Sequence, residues 1–140
     1  EAYNLLNNLT VYYDGSVFAD KAKIELGLLE LARDKYLEAK QLFKAVGEKR
    51  KDDIGAEAQF YYGQTLFEQG MTNDAILALV RVRSVFSRYD QWYTRALLKL
   101  GECYTVLGDK RTARDMYRAV LKRHKNDEFG KEAKRKLRRL

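Results

Sequence analysis

Few residues in this chain have the types and spacing that chemistry requires. Cys103 is the only thiol and His124 the only imidazole, and a cysteine nucleophile needs a base beside it. Cys103 lies in GECYTV among residues of a packing face, and His124 lies in the distant KRHK segment. The expectation is a small buried thiol and a surface imidazole that, when protonated, favours the negative end of its helix. One cysteine cannot close an internal disulfide, and one histidine cannot support a His-based metal site. The glycines spell neither of the phosphate-cradling patterns, GxGxxG or GxxxxGK[ST]. The adjacent carboxylates Asp52 and Asp53 open a helical stretch, where capping of free N–H groups accounts for them. No catalytic set is present, so the chain reads as a non-enzyme with no cofactor and no metal.

The elements around these residues follow from composition and period. With 140 residues, 46% hydrophobic and 34% charged, the chain can bury a core and is not a disordered tail. Its length fits one domain or one slice of a longer array. No apolar run reaches the ~18 residues a transmembrane helix needs, and EAYNLLNNLT lacks the basic start and apolar stretch of a signal peptide. The absence of proline suits helices joined by short connections. The net charge of +7 is uneven: residues 110–140 carry 13 Lys/Arg against 4 acids, and residues 1–109 carry 14 against 16. Such an end is either a solvated helix face or an anion-seeking one.

Three segments align without gaps: 25–46, 61–82 and 99–120. Each has a glycine (Gly27, Gly63, Gly101) and an alanine twelve residues on (Ala39, Ala75, Ala113). A large residue follows (Phe43, Leu79, Tyr117), then a valine (Val46, Val82, Val120). Ala2, Leu6 and Leu9 repeat the second half of the pattern. Apolar positions recur every three or four residues in 17–33, 36–50, 53–69, 73–88, 91–107 and 110–124, the period of amphipathic helices. Each unit is therefore a helical hairpin. Its glycine and alanine remove bulk where the two helices cross, and Phe43, Leu79 and Tyr117 are expected to fill space against the neighbouring pair. A helical glycine costs about 1 kcal/mol relative to alanine, so its recurrence needs a packing reason. The connections ARDK, QGMTN and LGDKR lie within pairs. YDGS (13–16), RKDD (50–53), RYDQ (88–91) and KNDE (125–128) lie between pairs and supply Ser, Asp and Asn as N-caps.

These residues resemble the tetratricopeptide-repeat family over nearly the whole chain. Leu26-Gly27, Tyr62-Gly63 and Leu100-Gly101 resemble its first-helix signature, and Ala39/Phe43, Ala75/Leu79 and Ala113/Tyr117 its second. Two features depart from it. Glycine-to-glycine spacings are 36 and 38 against the usual repeat of about 34 residues, and Lys51, Ser87 and Lys125 stand where the family closes with proline. The resemblance implies an all-α, right-handed superhelix of antiparallel helix pairs. It comprises a half repeat (1–14), repeats at about 17–51, 53–88 and 91–125, and a closing helix (127–140), read as part of a longer chain. The Tyr-Tyr/Leu-Gly openings look most like bacterial envelope proteins of the Tol–Pal accessory and outer-membrane assembly type, which favours the periplasm or cell envelope over the cytoplasm.

The implied function is a scaffold that binds a protein or peptide in the concave groove formed by first helices. By resemblance and by spacing from the glycines, the groove residues are Ile24, Leu28, Leu31, Phe60, Gln64, Phe67, Leu98, Glu102 and Thr105. This lining is largely apolar. The family's carboxylate clamp needs Lys, Asn and Arg where this chain has Ile24, Leu28, Phe60 and Gln64, which points instead to an amphipathic helix or an extended peptide. The aromatic group Phe60, Tyr61, Tyr62, Tyr89, Trp92 and Tyr93 is a second candidate interface. Trp92 is expected to staple the junction. The alternative function places nucleic acid or an acidic membrane surface on the basic patch Lys131, Lys134, Arg135, Lys136, Arg138 and Arg139. That cluster lacks the aromatics on which bases stack. Self-association through the N-terminal half repeat is the remaining partner.

Overall fold

A computed structural model gives the placement of residues 2–12 and 15–140. Glu1, Tyr13, Asp14 and the side chain of Tyr12, and with them parts of the half repeat and of the 13–16 junction, lie outside the described residues. Among the described residues there are eight α-helices and no strand: α1 (Ala2–Tyr12), α2 (Val17–Ala32), α3 (Tyr36–Lys49), α4 (Asp53–Glu68), α5 (Thr72–Val85), α6 (Asp90–Val106), α7 (Lys110–Arg123) and α8 (Glu128–Arg139). The chain is all-α.

Local chemistry sets the helix ends. Ser16, Asp52 and Asp127 cap α2, α4 and α8, each side chain accepting from the backbone N–H three residues on. The 88–91 junction differs. Tyr89 caps α6 without a side-chain bond, and Asp90 is the first helical residue, facing Arg123 and His124 instead. The turn inside each pair closes with one left-handed residue, Asp34 (φ 58°), Gly70 (φ 83°) or Gly108 (φ 82°). The next N–H returns to the last helical turn: Lys35 to Glu30, Met71 to Leu66 and Asp109 to Tyr104, each at 2.9 Å. This is the αL termination that glycine adopts without steric cost. α5 stops at Val85, short of the expected 88, because the fully buried Phe86 turns into the core as its cap.

The repeated glycines explain pair packing, and the contact differs from the expected one. A Cβ on Gly27 would come within 2.5 Å of the Phe43 ring, and one on Gly63 within 2.7 Å of the Leu79 side chain. One on Gly101 would run into Tyr117. The large residue of each second helix thus fills the notch in its own pair's first helix, and only then reaches the neighbouring pair. Ala39, Ala75 and Ala113, like Val46, Val82 and Val120, are fully buried.

The layering gives the curvature. The backbones of α2 and α4, α4 and α6, and α6 and α8 approach closely, whereas those of α3, α5 and α7 do not approach one another, and α5 reaches α7 through the long Arg83 side chain on Met116. The even-numbered helices therefore form a close inner row and the odd-numbered ones splay outward. The result is a solenoid with a concave inner face and a grooved outer one.

Candidate functional site

The inner row carries an open groove of about 490 Å³ bordered by α4, α6 and α8. Phe60, Gln64, Leu98 and Glu102 line it, together with Tyr61, Arg95, Lys99, Glu128, Phe129 and Glu132. The floor is aromatic. Phe60 and Tyr61 meet edge to face at 5.5 Å, and Trp92 packs on both, at 5.8 and 5.7 Å. Arg95 lies over the Trp92 ring at 4.8 Å, a cation–π contact that holds the guanidinium at the rim. Lys99 lies over Phe67 at 5.2 Å and pairs with Glu102 at 2.9 Å. Glu102 also receives Lys136 of α8 at 3.4 Å. Burial, reinforced by the charge of Glu25, raises the Glu57 carboxyl above its ordinary range. Burial and then Glu57 raise the Tyr61 phenol. The site is thus an apolar floor inside a rim of both charges, more polar than the largely apolar lining expected of it.

The sequence-predicted lining residues divide into three groups. Phe60, Gln64, Leu98 and Glu102 come together in the groove just described. Phe67, Glu102 and Thr105 line a neighbouring hollow of about 260 Å³ with Tyr117, Lys136, Arg139 and Leu140. Ile24 is buried against Ala39, Phe43 and Val46, with Leu28 and Leu31 packed on the same cluster, so in α2 these three serve the core between pairs. Phe60 and Leu98 are only 5% and 7% exposed and contribute edges rather than open surface.

Tyr61, Arg95, Lys99, Glu128, Phe129 and Glu132 were not among the expected groove residues. Tyr61 and Lys99 stand two residues before the repeat glycine and Arg95 stands six before it, registers the period itself offers. The α8 residues required knowing that the closing helix joins the inner row.

Two further expectations change. Five of the six aromatics, Phe60, Tyr61, Tyr62, Tyr89 and Trp92, pack on one core cluster, of which Tyr62 also borders an outer groove, whereas Tyr93 belongs to the next cluster and packs under Arg123 at 4.2 Å. The basic patch is dispersed. Lys136 and Arg139 turn toward the α6 hollow and Lys131 pairs with Glu128, while Lys134, Arg135 and Arg138 point to solvent.

Cys103 is fully buried, and burial pushes its thiol up to about 11. His124 is a junction residue rather than a surface one. Its two ring nitrogens lie 2.5 Å from Asp127 and 2.7 Å from Asp90, and its ring packs edge-on against Phe129. Among the described residues no cluster of three His, Cys, Asp or Glu could hold a metal, and no helix is long and apolar enough to cross a membrane.

Stacked antiparallel pairs with a continuous inner face define the class: an α-helical repeat solenoid, which acts through the surface it presents. The tetratricopeptide-repeat family model matches residues 57–87 and 95–127, and these two segments are tetratricopeptide repeats. A solved structure described as a kinesin light chain of Podosopora anserina with nearly identical TPR-like repeats superposes with a TM-score of 0.78 at 14% identity, covering 98% of this chain and 74% of that one. The structure of MamA superposes with a TM-score of 0.67 at 18% identity, covering 97% and 81%. At these identities the likeness is one of fold. No curated protein matches the sequence. The comparisons lend no support to the bacterial-envelope subgroup.

Proposed function

We propose that the chain is a non-catalytic interaction scaffold that binds a peptide or helix of a protein partner along its concave face. The observation that carries this reading is the groove between α4, α6 and α8, where Tyr61, Phe129 and the edges of Phe60 and Leu98 lie beneath a charged rim, with Trp92 packed behind Phe60 and Tyr61. Such a surface offers large apolar area with polar groups that fix orientation, the composition of interface centres. Phe60 and Leu98 are poor test positions, because truncating a buried Phe or Leu costs about 2–5 kcal/mol of stability. Gln64 and Arg95 are half-buried at the rim, so charge changes there act on the surface. Calorimetric titration with peptides selected from a randomised library should give micromolar binding that falls at least about tenfold in Gln64→Arg/Arg95→Glu. Unchanged affinity in a folded double variant would remove the groove from the account.

Self-association is the second reading, and it uses a different face. Leu5, Val11 and Phe18 are 62%, 67% and 74% exposed around α1 and the start of α2, a grouping that invites burial. Sedimentation over a hundredfold concentration range tests it. A constant monomer mass excludes it.

A further inference from the structure

The splay of the outer helices opens a second groove, about 740 Å³, between α3 and α5. Tyr62 and Leu66 of α4 lie in it with Met71, Leu77 and Ala78. Leu77 is 71% exposed at its edge. Gln59 is locked by its bond to the Ala78 carbonyl at 3.0 Å. Lys40 and Lys44 contribute from α3 and Arg81 from α5, with the carboxylates Glu48 and Asp74.

The charges do not cancel locally. Glu48 pairs with Lys44 at 3.9 Å, and Asp74 lies in the first turn of α5, where the positive end of the helix offsets it. Arg81 and Lys40 are left. The Arg81 Nε–H is buried with no acceptor, and its guanidinium has no ion pair among the described residues. The partner of Lys40 is the Met71 sulfur at 4.0 Å, a weak acceptor. Arg81 is half-buried and lines the groove, so the part of its guanidinium beyond the closed-off Nε is a charged donor group that a carboxylate ligand can answer.

We infer that the outer groove between α3 and α5 is a second binding site, for an acidic peptide segment that sets an apolar side chain on Tyr62, Leu66 and Leu77 and a carboxylate on Arg81 and Lys40. A nucleic-acid backbone fits less well, because Glu48 and Asp74 would repel a continuous run of phosphates and the apolar floor would go unused. The site is separate from the concave face and does not depend on it.

The test uses the whole chain and three sets of synthetic twelve-residue peptides. All carry the same leucine and phenylalanine anchors, with glutamate, glutamine or lysine at the remaining positions, and are followed by fluorescence anisotropy. The glutamate set should bind best, at least about fivefold tighter than the glutamine set at ~50 mM salt. Arg81→Glu should weaken it about tenfold or more. Lys40→Glu, on the surface of α3, should weaken it in the same direction and guards against misfolding of the first variant. Arg95→Glu, on the concave face, should leave it unchanged. Equal binding by the glutamine or lysine set, no binding by any set, tighter binding of a twelve-nucleotide RNA, or affinity unmoved by both outer variants would overturn the inference.

Discussion

Single residues decide how each helical hairpin closes. Asp34 holds the left-handed conformation that Gly70 and Gly108 hold in the next two pairs. That region costs an L-residue about 1–2 kcal/mol, less for aspartate than for most. Asp34→Gly should therefore raise stability by about 0.5 kcal/mol, the relieved strain being partly offset by the entropy glycine gives the unfolded chain. Urea unfolding checks it, and a loss of stability would contradict the reading. Gly101→Ala should cost about 1–3 kcal/mol, since its Cβ would meet the fully buried Tyr117 ring in a packed interior. Cys103 should stay unreactive to a thiol reagent at pH 8 in the native chain, because its raised value, about 11, leaves almost no thiolate; labelling should appear only on unfolding. The glycine register was legible because a missing side chain is a constraint written directly into the sequence. Which residue fills the notch was not: one-dimensional spacing cannot tell a contact inside a pair from one between pairs.

At the scale of elements, two junctions use one device with different chemistry. Arg50, at the end of α3, bridges Asp20 of α2 at 2.8 Å and the α4 cap Asp52 at 2.7 Å. His124, seven residues beyond Tyr117 as Arg50 is beyond Phe43, bridges Asp90 of α6 and the α8 cap Asp127. The arginine clamp keeps its charge at all working pH, whereas the histidine clamp titrates. The hydrogen bond to Asp127, followed by that to Asp90, raises His124 against the opposing effect of its burial. Its stabilising contribution is therefore complete below its unfolded value near 6.5 and is lost as pH rises through the higher folded one. The Gly130 N–H and then His124 lower Asp127, and bonds from Arg123 and His124 lower Asp90 against its burial. Those contributions are lost as pH falls through the lowered values. Arg123, 3.0 Å from Asp90, is the other charge facing the clamp. Hydrogen-exchange protection of α8, corrected for intrinsic rates, should thus fall relative to that of α4 as pH rises above about 6.5. His124→Arg should flatten the fall, and parallel behaviour of α4 and α8 in the native chain would refute the clamp. Ser16, Asp52 and Asp127 could be read as caps from type and position alone. Asp90 could not, because the partners that draw it away from capping lie 33 and 34 residues downstream.

For the molecule as a whole, the architecture was legible because every pair repeats one packing solution, and three aligned registers leave little freedom for another fold. The surface was legible only in part. Positions such as Gln64 and Glu102 could be projected inward from the glycines, but an inward-facing residue becomes core or lining according to how closely the inner helices approach. Ile24, Leu28 and Leu31 of α2 belong to a core cluster, whereas Gln64 and Glu102 border open space beside α8. The rim charges Glu128 and Glu132 depend on where the closing helix lies, which no repeat period encodes. The central claim is that partners are captured on the inner row, and nuclear magnetic resonance mapping of the tightest library peptide on the whole chain tests it most directly. The account predicts amide shifts concentrated at Gln64, Arg95, Leu98 and Glu102, abolished by Gln64→Arg/Arg95→Glu. Shifts confined to the outer faces of α3, α5 and α7, with the inner row silent, would contradict it.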